Sequence, residues 1–136
     1  AGSVGEYITA SVTGSPVSIS TTTATNLTSI SLTAGDWDVW GNLSFTSATN
    51  TVVKSVNAWI SSTSASFPAN PSTAVRQDYG STGTVNIGSG GVQFGMAVAP
   101  QRFSLSATTT IYISGFAIFT TDTLTMTGFI SARRIR

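Results

Sequence analysis

The closing stretch Leu124–Arg136, LTMTGFISARRIR, alternates like a β-strand almost to the last residue. Leu124, Met126, Ile130 and Ala132 fall on one face, with Gly128 among them; Thr123, Thr125, Thr127, Phe129 and Ser131 fall on the other. Alternation with period two turns one face to a core and the other away from it. A chain end written as a strand is tied into a sheet and does not trail as a tail.

The rest of the chain reads the same way. No segment keeps a period of 3.6 over three turns. Strands are expected at about 6–7, 8–12, 17–20, 26–33, 36–46, 52–61, 84–88, 92–98, 101–106, 109–120 and 123–135. Gly14–Ser15–Pro16 and Ala34–Gly35–Asp36 read as turns, and Gly88–Ser89–Gly90–Gly91 as a flexible loop. Segment 61–83 holds Pro68, Pro71, Gly80 and Gly83 and reads as a long loop or edge. Many short strands with turn-rich links indicate an all-β sandwich or barrel, and an antiparallel β-sandwich is the architecture expected here. Residues 1–5 are expected to be an N-terminal connector and 6–136 one domain. The opening Ala1 suggests a processed product or a domain of a longer polypeptide.

Composition narrows the partners. The 136 residues are 40% hydrophobic but only 8% charged, against about 25% charged in an average soluble chain. Polarity comes from Ser and Thr, and Thr suits a pleated sheet. Copies of such a chain repel one another little, so an oligomer is expected. A net charge of +1 argues against phosphate neutralisation, hence against a nucleic-acid partner. No apolar run is long enough to insert into a membrane as a helix. Arg133, Arg134 and Arg136 read as a solvated strand end.

Two strands want cover on both faces. In 36–45, Trp37, Val39, Leu43 and Phe45 share one face, while Trp40 lies opposite among Asp36, Asp38, Asn42 and Ser44. In 109–119, Ile111, Ile113, Ala117 and Phe119 share one face, and Tyr112, Phe116 and Ile118 the other. An ordinary sandwich strand has one wet face. Trp40, Tyr112, Phe116 and Ile118 are therefore candidates for an oligomer interface, with Phe129 of the closing strand; the plainer alternative is that loops of the same chain cover this face. Lys54 shares a parity with Val52, Val56 and Ile60, which requires either a β-bulge or a nearby strand end.

Catalytic chemistry finds little support. The chain has no His and no Cys, which removes imidazole bases, thiolate nucleophiles and the usual zinc ligands. Asp36 and Asp38 are the one local carboxylate pair, and they read as a solvated strand start. No Ser sits in a nucleophile elbow. No enzyme activity, metal or cofactor is expected. The remaining ligand candidates are Trp59, at the end of a strand, and Arg76, Asp78 and Tyr79 in the long loop. An aromatic plate beside charged groups suits a sugar ring; the plainer alternative is that Trp59 and Tyr79 pack beneath the loop.

ISLTAGDWDVWGNLSF (30–45), SLSATTTIYISGFAIF (104–119), MTGFISARRIR (126–136) and VGEYITASV (4–12) together resemble domains at the C-terminal ends of phage and prophage tail-fibre-like virion proteins. The resemblance covers nearly the whole chain, with 61–92 least constrained. AGDWDVWGN and GFISARRIR are its specific parts. The strand order also resembles the trimeric C1q and tumour-necrosis-factor jelly rolls. There a strand after an "AG" turn and a final strand containing "GF" lie in the inner sheet, where Gly35–Trp40 and Gly128–Phe129 stand in this chain.

The resemblance implies a jelly-roll domain on the surface of a phage particle. It implies a homotrimer, other virion proteins as neighbours, and a host-surface glycan or protein as the contact of a tail-fibre tip. The alternatives are a capsid decoration protein that cements the head and a free carbohydrate-binding module.

Overall fold

The computed structural model describes residues 2–68, 73–79, 85–86 and 93–136. The Gly88–Gly91 loop, Pro71, Gly80, Gly83 and most of the strand expected at 84–88 lie outside the described residues. Among the described residues there are nine β-strands and no α-helix. They are β1 (Tyr7–Ile19), β2 (Thr25–Leu32), β3 (Gly35–Ser47), β4 (Val52–Ser61), β5 (Val75–Asp78), β6 (Val85–Asn86), β7 (Gln93–Leu105), β8 (Thr109–Thr120) and β9 (Leu124–Arg134).

The strands form two sheets, and every described pairing is antiparallel. The first has the order β1-β9-β3-β7; the second has β2-β8-β4-β5, with β6 also pairing β4. Apart from the run β4 to β6, each strand hands the chain to the opposite sheet. The closing strand β9 is therefore central, between the first strand and β3.

The two inner faces make one apolar core. Trp37, Val39, Leu43 and Phe45 of β3 meet Ile111, Ile113, Ala117 and Phe119 of β8, with Leu124, Met126, Ile130 and Ala132 from β9. These are the inward sets that the alternation marks. Close packing between the sheets demands glycine at certain points. A Cβ on Gly115 would run into the Met126 sulfur, and one on Gly41 would lie 2.7 Å from Ile113 Cδ1 of the opposite sheet.

Several local readings change. Gly14–Ser15–Pro16 is not a turn between strands. It lies within β1, whose register with β9 jumps between Val12 and Val17. The extra residues bulge from an edge strand, where Pro16 removes no ladder bond. Pro100 likewise lies within β7, also an edge strand, where the register with β3 shifts between Val39 and Gly41. Segment 61–83 contains the short strand β5. At Lys54 the register of β4 with β8 shifts between Val53 and Ser55. Lys54 is the extra residue, so Val53 and Val56 both reach the core despite their opposite parity.

Arg134 is not a solvated end. It is 7% exposed, and it donates to Thr33 Oγ1 at 2.8 Å and to the Ala34 carbonyl at 2.5 Å. Its guanidinium also faces the ring of Trp37. Arg133 and Arg136 are exposed.

Candidate functional site

The five residues expected to form one oligomer surface divide between two. Trp40 of β3 and Phe129 of β9 lie on the outer face of the four-stranded sheet. Tyr112, Phe116 and Ile118 of β8 lie on the outer face of the other sheet. The two outer faces point away from each other across the core. Alternation separates inward from outward residues but carries no information about which sheet a strand joins, so it does not distinguish the outer face of β8 from that of β3 and β9.

On the four-stranded sheet, the Tyr7 ring lies 6.2 Å from that of Trp40, the two spanning β9. Beneath them Ser131 is buried; it accepts from the Tyr7 hydroxyl at 3.0 Å and shares a 2.9 Å hydrogen bond with Thr9. Further along the same face lies a groove of about 380 Å³, beside the β1 bulge, lined by Val12, Pro16, Thr46, Gln93, Thr127 and Phe129. Tyr7 is 58% exposed, so this aromatic face is only part covered.

The five-stranded sheet carries the ligand candidates. Residues opposite each other on paired strands share a face. Asn57 opposes Phe116 on one side and Arg76 on the other; Ser55 opposes Ile118 and Asp78. Trp59, Asn57 and Ser55 therefore run along β4 on the outer face, with Arg76 and Asp78 beside them. Arg76 and Asp78 pair at 2.9 Å and are well exposed. Trp59 is 0% exposed yet takes no part in the core between the sheets. The Phe67 ring sits 4.9 Å from it and 5.7 Å from that of Phe116. Trp59 thus packs beneath the Phe67 ring of the loop.

Tyr79 departs from this group. Its ring turns toward Phe94, 6.1 Å away, and Phe94 stacks on the core residue Phe45. Burial pushes its phenol pKa up. The structure thus brings Trp59, Arg76 and Asp78 to one face and leaves Tyr79 at the core margin.

Sequence reasoning missed three residues here. Ser55 and Asn57 are 3% and 2% exposed, and each has a buried polar atom with no hydrogen-bond partner among the described residues, as does the Trp59 indole. An unmet buried polar group costs about 1–3 kcal/mol. Asn26 of β2 is the third. Its side chain accepts from Ser114 and from the Ala65 amide, both at 2.8 Å, and donates to Ser64 at 2.8 Å. The available signal was an amide and a hydroxyl sharing the parity of Trp59 along 55–59.

The Asp36 carboxylate is structural. It accepts from Arg102 and Arg136, each at 3.0 Å. The hydrogen bond from Ser104, then that from Arg102, then that from Arg136 hold its pKa below the ordinary value, against an opposing effect of burial.

No protein-family model and no curated protein matches the chain. Two similar solved structures come from infectious bursal disease virus. The Gx strain structure is 10% identical with a TM-score of 0.44, over 96% of this chain and 31% of that one. The VP2 subviral particle is 10% identical with a TM-score of 0.42, over 96% of this chain and 30% of that one. The chain spans under a third of the length of either.

Proposed function

We propose that this domain is a phage virion-surface structural protein, a homotrimeric tail-fibre domain of jelly-roll build that contacts the host surface. The observation that carries the reading is the four-stranded sheet. Its inner face is core, and its outer face presents Tyr7, Trp40 and Phe129 with a groove beside them. A part-covered aromatic face on the central strands of a weakly charged protein suits burial against another subunit. The motifs AGDWDVWGN and GFISARRIR fall on β3 and β9, which are paired neighbours at the centre of this sheet. The passage of successive strands between sheets, with first and last strands adjacent, supports the jelly-roll reading. Its partners are two further copies of itself and other virion proteins.

The test is the molar mass of the purified domain at micromolar concentration by light scattering. A trimer is expected, and a monomer removes the assembly. Labelling on purified particles separates the tail from the head. Label on the head replaces the fibre reading with the decoration protein.

A further inference from the structure

Ser55 Oγ, Asn57 Oδ1 and Trp59 Nε1 are buried, and none has a hydrogen-bond partner among the described residues. They are at positions i, i+2 and i+4 of β4, so they follow one another at intervals of roughly 6.5–7 Å. Native proteins satisfy nearly all buried polar groups, and an exception points to a missing partner. Three in a row on a face turned away from the core share one cause.

The row states what it lacks. It presents a hydroxyl that donates or accepts, an amide oxygen that accepts and an indole N–H that donates. It holds no charge. Arg76 and Asp78 stand beside it at the exposed edge. The rings of Phe67 and Phe116 flank its Trp59 end. A phosphate or a nucleic acid would call for a cation within the row. A neutral ring with hydroxyls on its rim and an apolar face meets two neighbouring atoms of the row and stacks on the aromatics, and a short chain of such rings meets all three.

The cover over Trp59 is fastened lightly. The strap 62–67 is joined to β2 through the side chain of Asn26, which bonds Ser64 and Ala65. Ala65 has φ 45°, in the left-handed region that a residue with a Cβ rarely adopts. Phe67, the ring lying on Trp59, is 41% exposed.

We infer that the outer face of β4 is a saccharide-binding strip closed by this strap. Ser55, Asn57 and Trp59 hydrogen-bond the sugar hydroxyls, Arg76 and Asp78 extend the contact at the edge, and release of the strap from Asn26 admits the ligand. The inference rests on the host-contact part of the proposed function for the source of the sugar, and on nothing in the assembly.

The experiment follows the indole N–H signal of Trp59 by two-dimensional NMR, assigned with Trp59→Phe. The probes are methyl glycosides of glucose, galactose and N-acetylglucosamine. A saturable shift is expected in the wild-type domain. Asn57→Leu should weaken binding at least about tenfold while leaving the melting temperature unchanged or raised, because it removes an unmet acceptor. If Asn57→Leu does not fold, Ser55→Ala takes its place. Asn26→Ala should speed association. A Trp59 signal that no probe moves in either wild-type or Asn26→Ala protein, and that shows contact with long-lived water, means ordered water only and overturns the site. A shift that persists undiminished in Asn57→Leu also overturns it. Either result leaves a measured trimer standing, and a monomer that binds sugar would remove the assembly alone.

Discussion

The guanidinium carbon of Arg134 lies 5.4 Å from the centre of the Trp37 ring. Trp37 is fully buried, and its indole donates to the Thr33 carbonyl at 2.9 Å. Arg134 donates to Thr33 Oγ1 and to the Ala34 carbonyl, and lies 3.7 Å from Glu6. One planar cation thus ties the last strand, the β2–β3 turn and the segment before β1. Lysine keeps the charge but loses the fork and the flat face. Arg134→Lys is expected to lower unfolding free energy by about 1–3 kcal/mol. Urea titration checks it; an unchanged midpoint would show that the stacked geometry contributes nothing.

Asp36 gives the domain an acid limit. Its folded pKa lies below the ordinary 3.8. A depressed carboxylate contributes stability that is present above its unfolded value and is lost as pH falls through the folded one. Stability should therefore decline from about pH 4 downward, and part of that decline should vanish in Asp36→Asn. Thermal melts of both proteins between pH 6 and pH 2.5 provide the comparison. Parallel curves would remove Asp36 as a source.

Assembly should depend on one outer face and not the other. Trp40→Asp or Phe129→Asp places a carboxylate on the four-stranded sheet and is expected to yield folded monomers. Phe116→Asp sits near the Phe67 strap and should leave the molar mass unchanged. Light scattering with circular dichroism on all three variants decides it. Dissociation by Phe116→Asp alone would transfer the interface to the five-stranded sheet.

Gly128 should resist every substitution. It has φ 149°, and a Cβ there would lie 2.1 Å from the backbone oxygen of Asn42. That oxygen belongs to the neighbouring strand and has no room to retreat. Gly128→Ala is expected to cost about 3–5 kcal/mol or to prevent folding. Recovery of soluble protein with a native melting temperature would contradict it.

Alternation was a sound guide to what faces the core, because burial of one face is a local property with period two. It assigned β3, β8 and β9 their inward residues. At Lys54 the broken parity left a bulge or a strand end open, and the structure has the bulge; between Val12 and Val17 alternation gave a turn where an odd number of extra residues reverses the faces within one strand. It was silent on pairing: β8 and β9 are consecutive and similar in pattern, yet they belong to opposite sheets. The same gap divided the candidate sites. Trp59 and Tyr79 are both aromatic and both near the long loop. Only the three-dimensional path shows one on the outer face and the other turned toward Phe94. Asn57 and Ser55 were hidden for another reason, since an unmet hydrogen bond is a property of surroundings that no single residue announces.

The place of β9 also sets a schedule. During synthesis β1 appears first, but within its sheet it has a single neighbour, and that neighbour is made last. Until Leu124–Arg134 leaves the ribosome, β3 and β7 can pair, while β1 waits with an open edge. Long-range closure of this kind is slow. Until then that edge must be kept from joining a neighbour's, and the bulge and Pro16 that interrupt the register of β1 fit it for the delay. The outer face bearing Trp40 and Phe129 therefore cannot exist before β9 has paired with β3.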